Sequence, residues 1–381
     1  MSEVHGFSDP SFEPVRETLR QRIASENELG ASICVNIAGK TVLDIWGGHA
    51  DLAKTRLWEK DTIGPVWSCS KVVTNLAALL LIDRGLLDPA APVAKYWPEF
   101  AANGKENVLV SHVLSHSSGL AAWETPFTKE DLLDLEASTA RLAAQAPWWT
   151  PGSQSGYHLL TQGHLVGEII RRVTGKGLQQ FVAEELAGPL GADFHYGVPE
   201  ELWPRTAELI KPAALQLPMD DPDSVSAKTL RGTPVGLDTT GPGFRGAVIG
   251  AGNGFSNARA LARIGSIVSL DGVVDGDRPF LTVGAVEKLQ EEQVAGHDLV
   301  VSAFVRFGLG VALSDKRTIE WIPEGRIVYW GGWGGSILIM DRDRKMTISY
   351  TMNKMSSAGL LGNENTEIYV KQIYEIVEAL A

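Results

Sequence analysis

Residues 67–73 read Trp-Ser-Cys-Ser-Lys-Val-Val, and a serine three residues ahead of a lysine is a pair able to do acyl chemistry. A serine hydroxyl attacks a carbonyl only once a base takes its proton, and a lysine serves as that base only where burial or nearby positive charge lowers its pKa. On a helix Ser68 and Lys71 share a face, whereas the adjacent Ser70 and Lys71 diverge, so Ser68 is the candidate nucleophile. The apolar run VVTNLAALLLI after Lys71 can supply the burial. A serine at a helix start also has free N–H groups and the positive dipole end beside it, which suits an oxyanion. This is the one Ser-x-x-Lys in the chain. Two common residues at a fixed spacing occur by chance about once in a chain of this length, and a capping serine followed by a solvated lysine explains the same letters.

Two further stretches carry candidate chemistry. In PGSQSGYHLL, Tyr157 follows a Gly- and Ser-rich turn and precedes a helix. It reads either as a reactive phenol or as a partly buried aromatic whose hydroxyl finds a partner. In YWGGWGGSILIMD, glycine pairs beside aromatics let a backbone approach a ligand closely, and they also occur at strand bulges. Other patterns point elsewhere and stop short. His112 and His116 have i, i+4 spacing, but Val113 stands where a zinc-protease helix has glutamate, and no third ligand is evident. Gly250-Ala251-Gly252-Asn253-Gly254 lacks the spacing and the βαβ unit of a dinucleotide loop. In GSQSG the central residue is Gln154, so no nucleophile elbow is present. Cys69 has no activating histidine in the local sequence and is expected in the core.

These groups need elements to hold them. The chain has 381 residues, 44% hydrophobic and 21% charged, enough for one large core or two smaller ones. A net charge of −12 and the lack of any basic run oppose nucleic-acid binding. The N-terminal stretch lacks the pattern of a secretory signal, and no segment offers a long apolar run, so a cytoplasmic location without membrane partners is expected. The two cysteines, Cys34 and Cys69, fit a reducing compartment. Residues 11–25 place Val15, Leu19 and Ile23 at helical spacing, with Ser11 as cap. SICVNIA and TVLDIWG read as a hairpin around Gly39-Lys40. From Ser68 a buried helix runs to about Gly85. SHVLSH and GHLVGEIIRRVTG are the clearest helices of the middle, and 212–256 is a long irregular stretch of the kind that walls or covers a site. Strands return in RIVYW, SILIMD and MTISYTM. A closing helix carries Ile368, Ile373, Ile376, Val377 and Leu380 as its apolar set. The expected fold class is therefore α/β, in the α+β sense. An antiparallel sheet forms from the N- and C-terminal segments (1–75 and 300–381) and is flanked by helices, with a mainly helical region with irregular loops (76–299) inserted.

Taken together, the three stretches resemble the serine β-lactamase and penicillin-binding-protein superfamily, most closely its class C-like esterase branch, the family VIII carboxylesterases. Ser68-x-x-Lys71 is similar to the first motif, Tyr157-His158-Leu159 to Tyr-x-Asn, and Trp330-Gly331-Gly332 to Lys-Thr-Gly. LVSHVLSHSSGL (109–120) and GAGNGFSNARALARI (250–264) add to the likeness, which runs from about residue 15 to the C-terminus. The resemblance implies a β-lactamase/transpeptidase-like fold and an acyl-enzyme on Ser68, with Lys71 and Tyr157 sharing its proton as base and relay. It implies an oxyanion hole from the Ser68 and Trp333 N–H groups, the glycine pairs permitting a neighbouring register for the second. Substrate-binding positions would be Trp330, Gly331, Gly332, His158, Leu159 and Trp123, with no metal and no cofactor. Two departures stand out. Leu159 replaces the motif asparagine and Trp330 the motif lysine, removing the polar and charged groups that contact a β-lactam. Aromatics such as Trp330, Trp333, Trp123, Trp148 and Trp149 favour neutral, hydrophobic acyl groups. The expectation is a serine carboxylesterase acting on a small-molecule ester. Acyl transfer, amide or β-lactam cleavage with the same nucleophile, and a non-catalytic binding protein of the same fold are the rivals.

Overall fold

The computed structural model describes residues 3–212, 221–234, 236–274, 279–357 and 361–380, so residues 213–220 and 235 of the expected irregular stretch 212–256 lie outside the described residues. In chain order the strands are β1 (Val4–Ser8), β2 (Gly30–Ile37), β3 (Lys40–Gly48), β4 (Gly64–Pro65), β5 (Phe255–Ser256), β6 (Val294–His297), β7 (Phe304–Phe307), β8 (Ala312–Leu313), β9 (Ile327–Gly331), β10 (Ile337–Asp341) and β11 (Met346–Met352). One antiparallel sheet takes the order β1-β3-β2-β11-β10-β9-β8-β7-β6, and β4 pairs with β5. The N-terminal hairpin and the three late strands stand where the pattern places them. Ala38 (φ 49°) and Gly39 (φ 82°) make the two-residue turn between β2 and β3, the geometry whose twist matches flanking strands.

Period-two alternation divides the sheet into two faces. Ile33 lies opposite Tyr350 in register, and the Tyr350 ring packs at a tilt against Tyr369 of the C-terminal helix Glu364–Leu380. On the other face the Ser32 hydroxyl accepts from the Ala258 N–H, and Cys34 packs with Ala258 and Ala262 of the helix Ala258–Ser269. That face is built from small residues, and a Cβ on Gly265 would stand only 2.9 Å from Leu338 and from Thr347. The sheet is thus covered on its second face by a helix from the middle of the chain, as well as by the terminal helices.

Several elements differ from expectation. β1 has no apolar alternation and turns on Gly6 (φ 107°), and β6 to β8 are two to four residues long, too short to show a period. The 3-10 turn before the first helix is capped by Asp9, which accepts from the Ser11 N–H, whereas Ser11 was the expected cap. The C-terminal helix buries Tyr369, Val370, Ile373 and Tyr374, while Leu380 is exposed. Its stripe is rotated because Tyr369 and Tyr374 carry hydroxyls that reach Glu28 and Asp341, making them core residues with a polar tip.

The helix Cys69–Asp83 is buried from Cys69 to Ile82 and packs against both β9 and the helix Thr161–Thr174. A helix apolar around its circumference belongs in such an interior position. Its C-terminus is marked by Arg84 and then Gly85 at φ 70°. Gly163 lets the helix Thr161–Thr174 touch the turn at 249–252, since a Cβ there would stand 2.1 Å from the Ala251 nitrogen. Gly163→Ala is expected to destabilise the protein. The gain in helix propensity is about 1 kcal/mol, and forcing a methyl into backbone costs about 1–3 kcal/mol, with the upper end expected at so short a distance. Thermal unfolding should show a lower Tm, and an unchanged or higher one contradicts this packing. Among the described residues no helix is long and apolar enough to cross a membrane.

Candidate active site

Ser68 occupies the residue before the Cys69–Asp83 helix and makes no side-chain capping bond. The capping role falls away, and its hydroxyl faces Lys71 instead, 3.0 Å from Nζ. Ser70 has a structural partner, accepting from the Gly254 N–H at 2.9 Å. Lys71 Nζ also donates to the Leu159 carbonyl (2.8 Å) and the Ala251 carbonyl (2.9 Å). Lys71 is 1% exposed, and burial pushes its ammonium well below the ordinary lysine range, opposed only by Cys69.

The donor count follows from that. A neutral amine has two hydrogens and one lone pair. The two carbonyls accept a hydrogen each in either protonation state; the third contact, to Ser68 Oγ, is an N–H donation from the ammonium and becomes acceptance of the Ser68 hydrogen in the neutral amine. A carbonyl cannot neutralise an ammonium as a carboxylate would, so burial here favours the neutral amine.

Tyr157 is fully buried. Its ring lies 4.7 Å from Lys71 Nζ, measured to the centroid. The Trp330 indole N–H donates to the Tyr157 hydroxyl at 2.8 Å. Burial raises the phenol's proton affinity, with the side chains of Ser68 and Trp330 opposing. The resting group is therefore a phenol. Of the three, Ser68 is the reachable one, 9% exposed against 1% and 0% for Lys71 and Tyr157.

The glycine-rich end of β9 fits tightly against the turn that leads into Ser68. A Cβ on Gly332 would stand 2.3 Å from the Val66 carbonyl oxygen, and Cys69 Sγ lies 3.7 Å from the Trp330 carbonyl. Among the described residues neither the Ser68 N–H nor the Trp333 N–H has a backbone acceptor. The Trp67 and Trp333 rings lie 5.3 Å apart, and Phe244 flanks Trp67 at 6.0 Å. Trp67 holds a positive φ of 46° directly before Ser68, a backbone state that functional sites tend to retain.

The other candidate positions differ in how they meet these groups. Trp330 is buried in the core, touching Tyr157 through its N–H. Leu159 is half-buried and meets Lys71 through its carbonyl. His158 is fully buried, one ring nitrogen on Ser118 (2.7 Å) and the other on the Gly156 carbonyl (2.6 Å), with burial pushing it down to about 4. Trp123 donates to the Ser138 carbonyl and stacks on Phe127, apart from the serine. Trp149 donates to the Gln154 carbonyl and meets His158 edge-on. Cys69 packs in the core, where burial pushes its thiol up to about 12. His112 accepts from the Leu109 N–H and His116 lies past the helix end at φ 61°, so they share no helical face. Among the described residues no group of three or more His, Cys, Asp or Glu side chains is placed to hold a metal.

Residues that the motifs missed complete the site. Ala251 belongs to a turn built by Asn253, whose side chain accepts from the Ile249 N–H and donates to the Phe244 and Ala247 carbonyls. The Thr74 hydroxyl, one turn beyond Lys71, donates to the Gly250 carbonyl. Its glycines and asparagine were visible as GAGNG, but a carbonyl that receives a lysine leaves no mark in sequence.

The β-lactamase family pattern matches residues 15–370. The chain belongs to the β-lactamase family. Within that family it is 36% identical over 373 residues to the esterase/β-lactamase LipL of Mycobacterium tuberculosis, a match covering 93% of this chain and 84% of that protein. Among solved structures it is similar to a penicillin-binding-protein homologue from Caulobacter crescentus, with TM-score 0.92 and 33% identity, covering 98% of this chain and all of that one. It is likewise similar to a family VIII carboxylesterase, with TM-score 0.90 and 30% identity at the same coverage. The β-lactamase/transpeptidase-like fold is therefore that of the whole chain.

Proposed function

We propose that this β-lactamase-family protein hydrolyses carboxylic esters of small hydrophobic acyl groups through an acyl-enzyme on Ser68. The observation that carries the reading is the buried Lys71 amino group, in hydrogen-bond contact with the Leu159 and Ala251 carbonyls and with Ser68 Oγ at 3.0 Å. A serine carboxylesterase-type hydrolase is the enzyme class that family membership and the relatives named esterase and carboxylesterase support.

In this reading Lys71 takes the Ser68 proton as Oγ attacks the ester carbonyl, and the oxyanion is held by the Ser68 and Trp333 N–H groups at the positive end of a 15-residue helix. Tyr157 passes its proton to the departing alkoxide and is replenished from Lys71, leaving the acyl group on Ser68. A water then takes the alcohol's place. Its proton moves to the Tyr157–Lys71 pair as hydroxide adds to the acyl carbon, and on collapse the pair returns that proton to the departing Ser68 Oγ, giving free Ser68 and the acid.

Substrate class follows from what surrounds the serine. Trp67, Trp333 and Phe244 form an aromatic cluster beside it, and Trp330 and Leu159 occupy the positions where the resemblance places a lysine and an asparagine. Removing buried polar recognition weakens discrimination for a charged ligand, often by several orders of magnitude. Turnover of p-nitrophenyl acetate, butyrate and octanoate should therefore exceed that of a chromogenic cephalosporin by at least ~100-fold in kcat/KM. A cephalosporin turned over as well as the esters contradicts this reading.

A further inference from the structure

Tyr157 lies in irregular backbone. Residues 155–158 belong to no helix or strand, so nothing in a regular ladder fixes where the phenol stands. Their N–H groups are tied one by one to distant residues. Gly156 donates to the His116 carbonyl at 2.9 Å, and His158 to His116 Nδ1 at 3.1 Å. The Tyr157 N–H goes to Asp298 Oδ1 at 3.0 Å, across 141 residues of sequence.

Asp298 is 0% exposed and its surroundings are specific. Oδ1 accepts also from Val300 (2.8 Å) and Val301 (3.0 Å), which shapes the turn after β6. The Leu299 N–H donates to the Ser155 carbonyl at 2.9 Å, so two parallel tethers join the turn to the tyrosine segment. Oδ2 is buried with no hydrogen-bond partner among the described residues. Shaping a turn accounts for the bonds to Val300 and Val301. It does not account for burying a carboxylate against the backbone of a residue whose ring lies 4.7 Å from Lys71 Nζ.

We propose that Asp298 is a positioning residue for Tyr157, holding its backbone so that the phenol reaches Ser68. This rests on the reading of Tyr157 as the proton relay. A charge-assisted bond to a backbone N–H is about twice as strong as a neutral one. Misplacing a reacting group by about 1 Å can cost on the order of 100-fold in rate.

The test is a double-mutant cycle on p-nitrophenyl butyrate with Asp298→Ala, Asp298→Asn, Tyr157→Phe and the combinations, each checked by thermal unfolding. Asp298→Ala is expected to lower kcat by about 10–100-fold with KM changed less than ~3-fold. On the Tyr157→Phe background the same change should cost less than ~3-fold, because the group it positions is gone. Asp298→Asn, which keeps an acceptor oxygen for the three N–H groups, should recover most of the loss. Should the alanine variant not fold, the asparagine variant carries the cycle, with a loss of about 3–10-fold expected only where Tyr157 is present. A folded Asp298 variant with undiminished kcat, or one whose loss repeats in full on Tyr157→Phe, overturns the inference. A Tyr157→Phe enzyme with wild-type kcat overturns instead the relay reading beneath it.

Discussion

Ser68→Ala is expected to lower ester turnover by about ten-thousand-fold or more, while leaving the Tm close to that of the wild type. Removing the nucleophile of a concerted site costs about as much as removing the whole set, because its members act as one unit. The fold has little stake in the hydroxyl. It makes no capping bond, and the glycine-rich turn at 331–332 and the Ser70–Gly254 bond hold the helix start in place without it. Labelling by a fluorophosphonate should vanish together with turnover. Turnover that survives in Ser68→Ala removes the acyl-enzyme account, whereas a wild-type protein that neither turns over esters nor takes the label is the non-catalytic protein of the same fold.

Lys71→Met carries the second large effect, a loss of about a thousand-fold or more in kcat/KM, within the range that base removal produces. Methionine fills similar volume and supplies no base. Two carbonyls, of Leu159 and Ala251, lose their donor, so a stability loss of about 1–3 kcal/mol accompanies the change. Lys71→Arg should not restore activity, because a guanidinium stays protonated.

The pH dependence has a definite sign. Burial lowers the folded pKa of Lys71 from an ordinary 10.5, so the neutral, active amine predominates above the lowered value and kcat/KM rises with pH through it. Between the lowered value and 10.5 the unfolded chain binds one proton more than the folded one, and this group's contribution to stability rises with pH across that window. It is lost as pH falls through the folded pKa. A kcat/KM profile without an acid limb contradicts a neutral lysine base.

The reach of the sequence differs from group to group. Ser68 and Lys71 were legible because a three-residue spacing on a helix is a geometric statement, and the apolar run after them announced the burial. Tyr157 was not legible by spacing, since it lies far along the chain and an isolated tyrosine is ambiguous; only the combination of motifs singled it out. The hairpin and the late strands were legible from alternation, whereas β1 and β6 to β8 were not, being short or, in β1, glycine-bent elements whose pairing is decided by the neighbouring strands. Trp330 was read as part of an apolar wall; it meets Tyr157 both through its indole N–H and through its ring, 4.9 Å away, and a hydrogen bond of that kind is not visible in residue type. Ala251, the Leu159 carbonyl and Asp298 act through backbone groups or on them, and tertiary proximity of that kind has no periodic signature.

The account rests on a covalent bond to one oxygen. Rapid mixing with an activated short-chain ester, acid quench and intact-protein mass spectrometry followed by peptide mapping should find one acyl group per chain on the peptide holding residues 67–73, at Ser68, and none in Ser68→Ala. Acylation mapped to Ser70 or Cys69, or burst-free hydrolysis with no adduct on any residue while turnover proceeds, contradicts it.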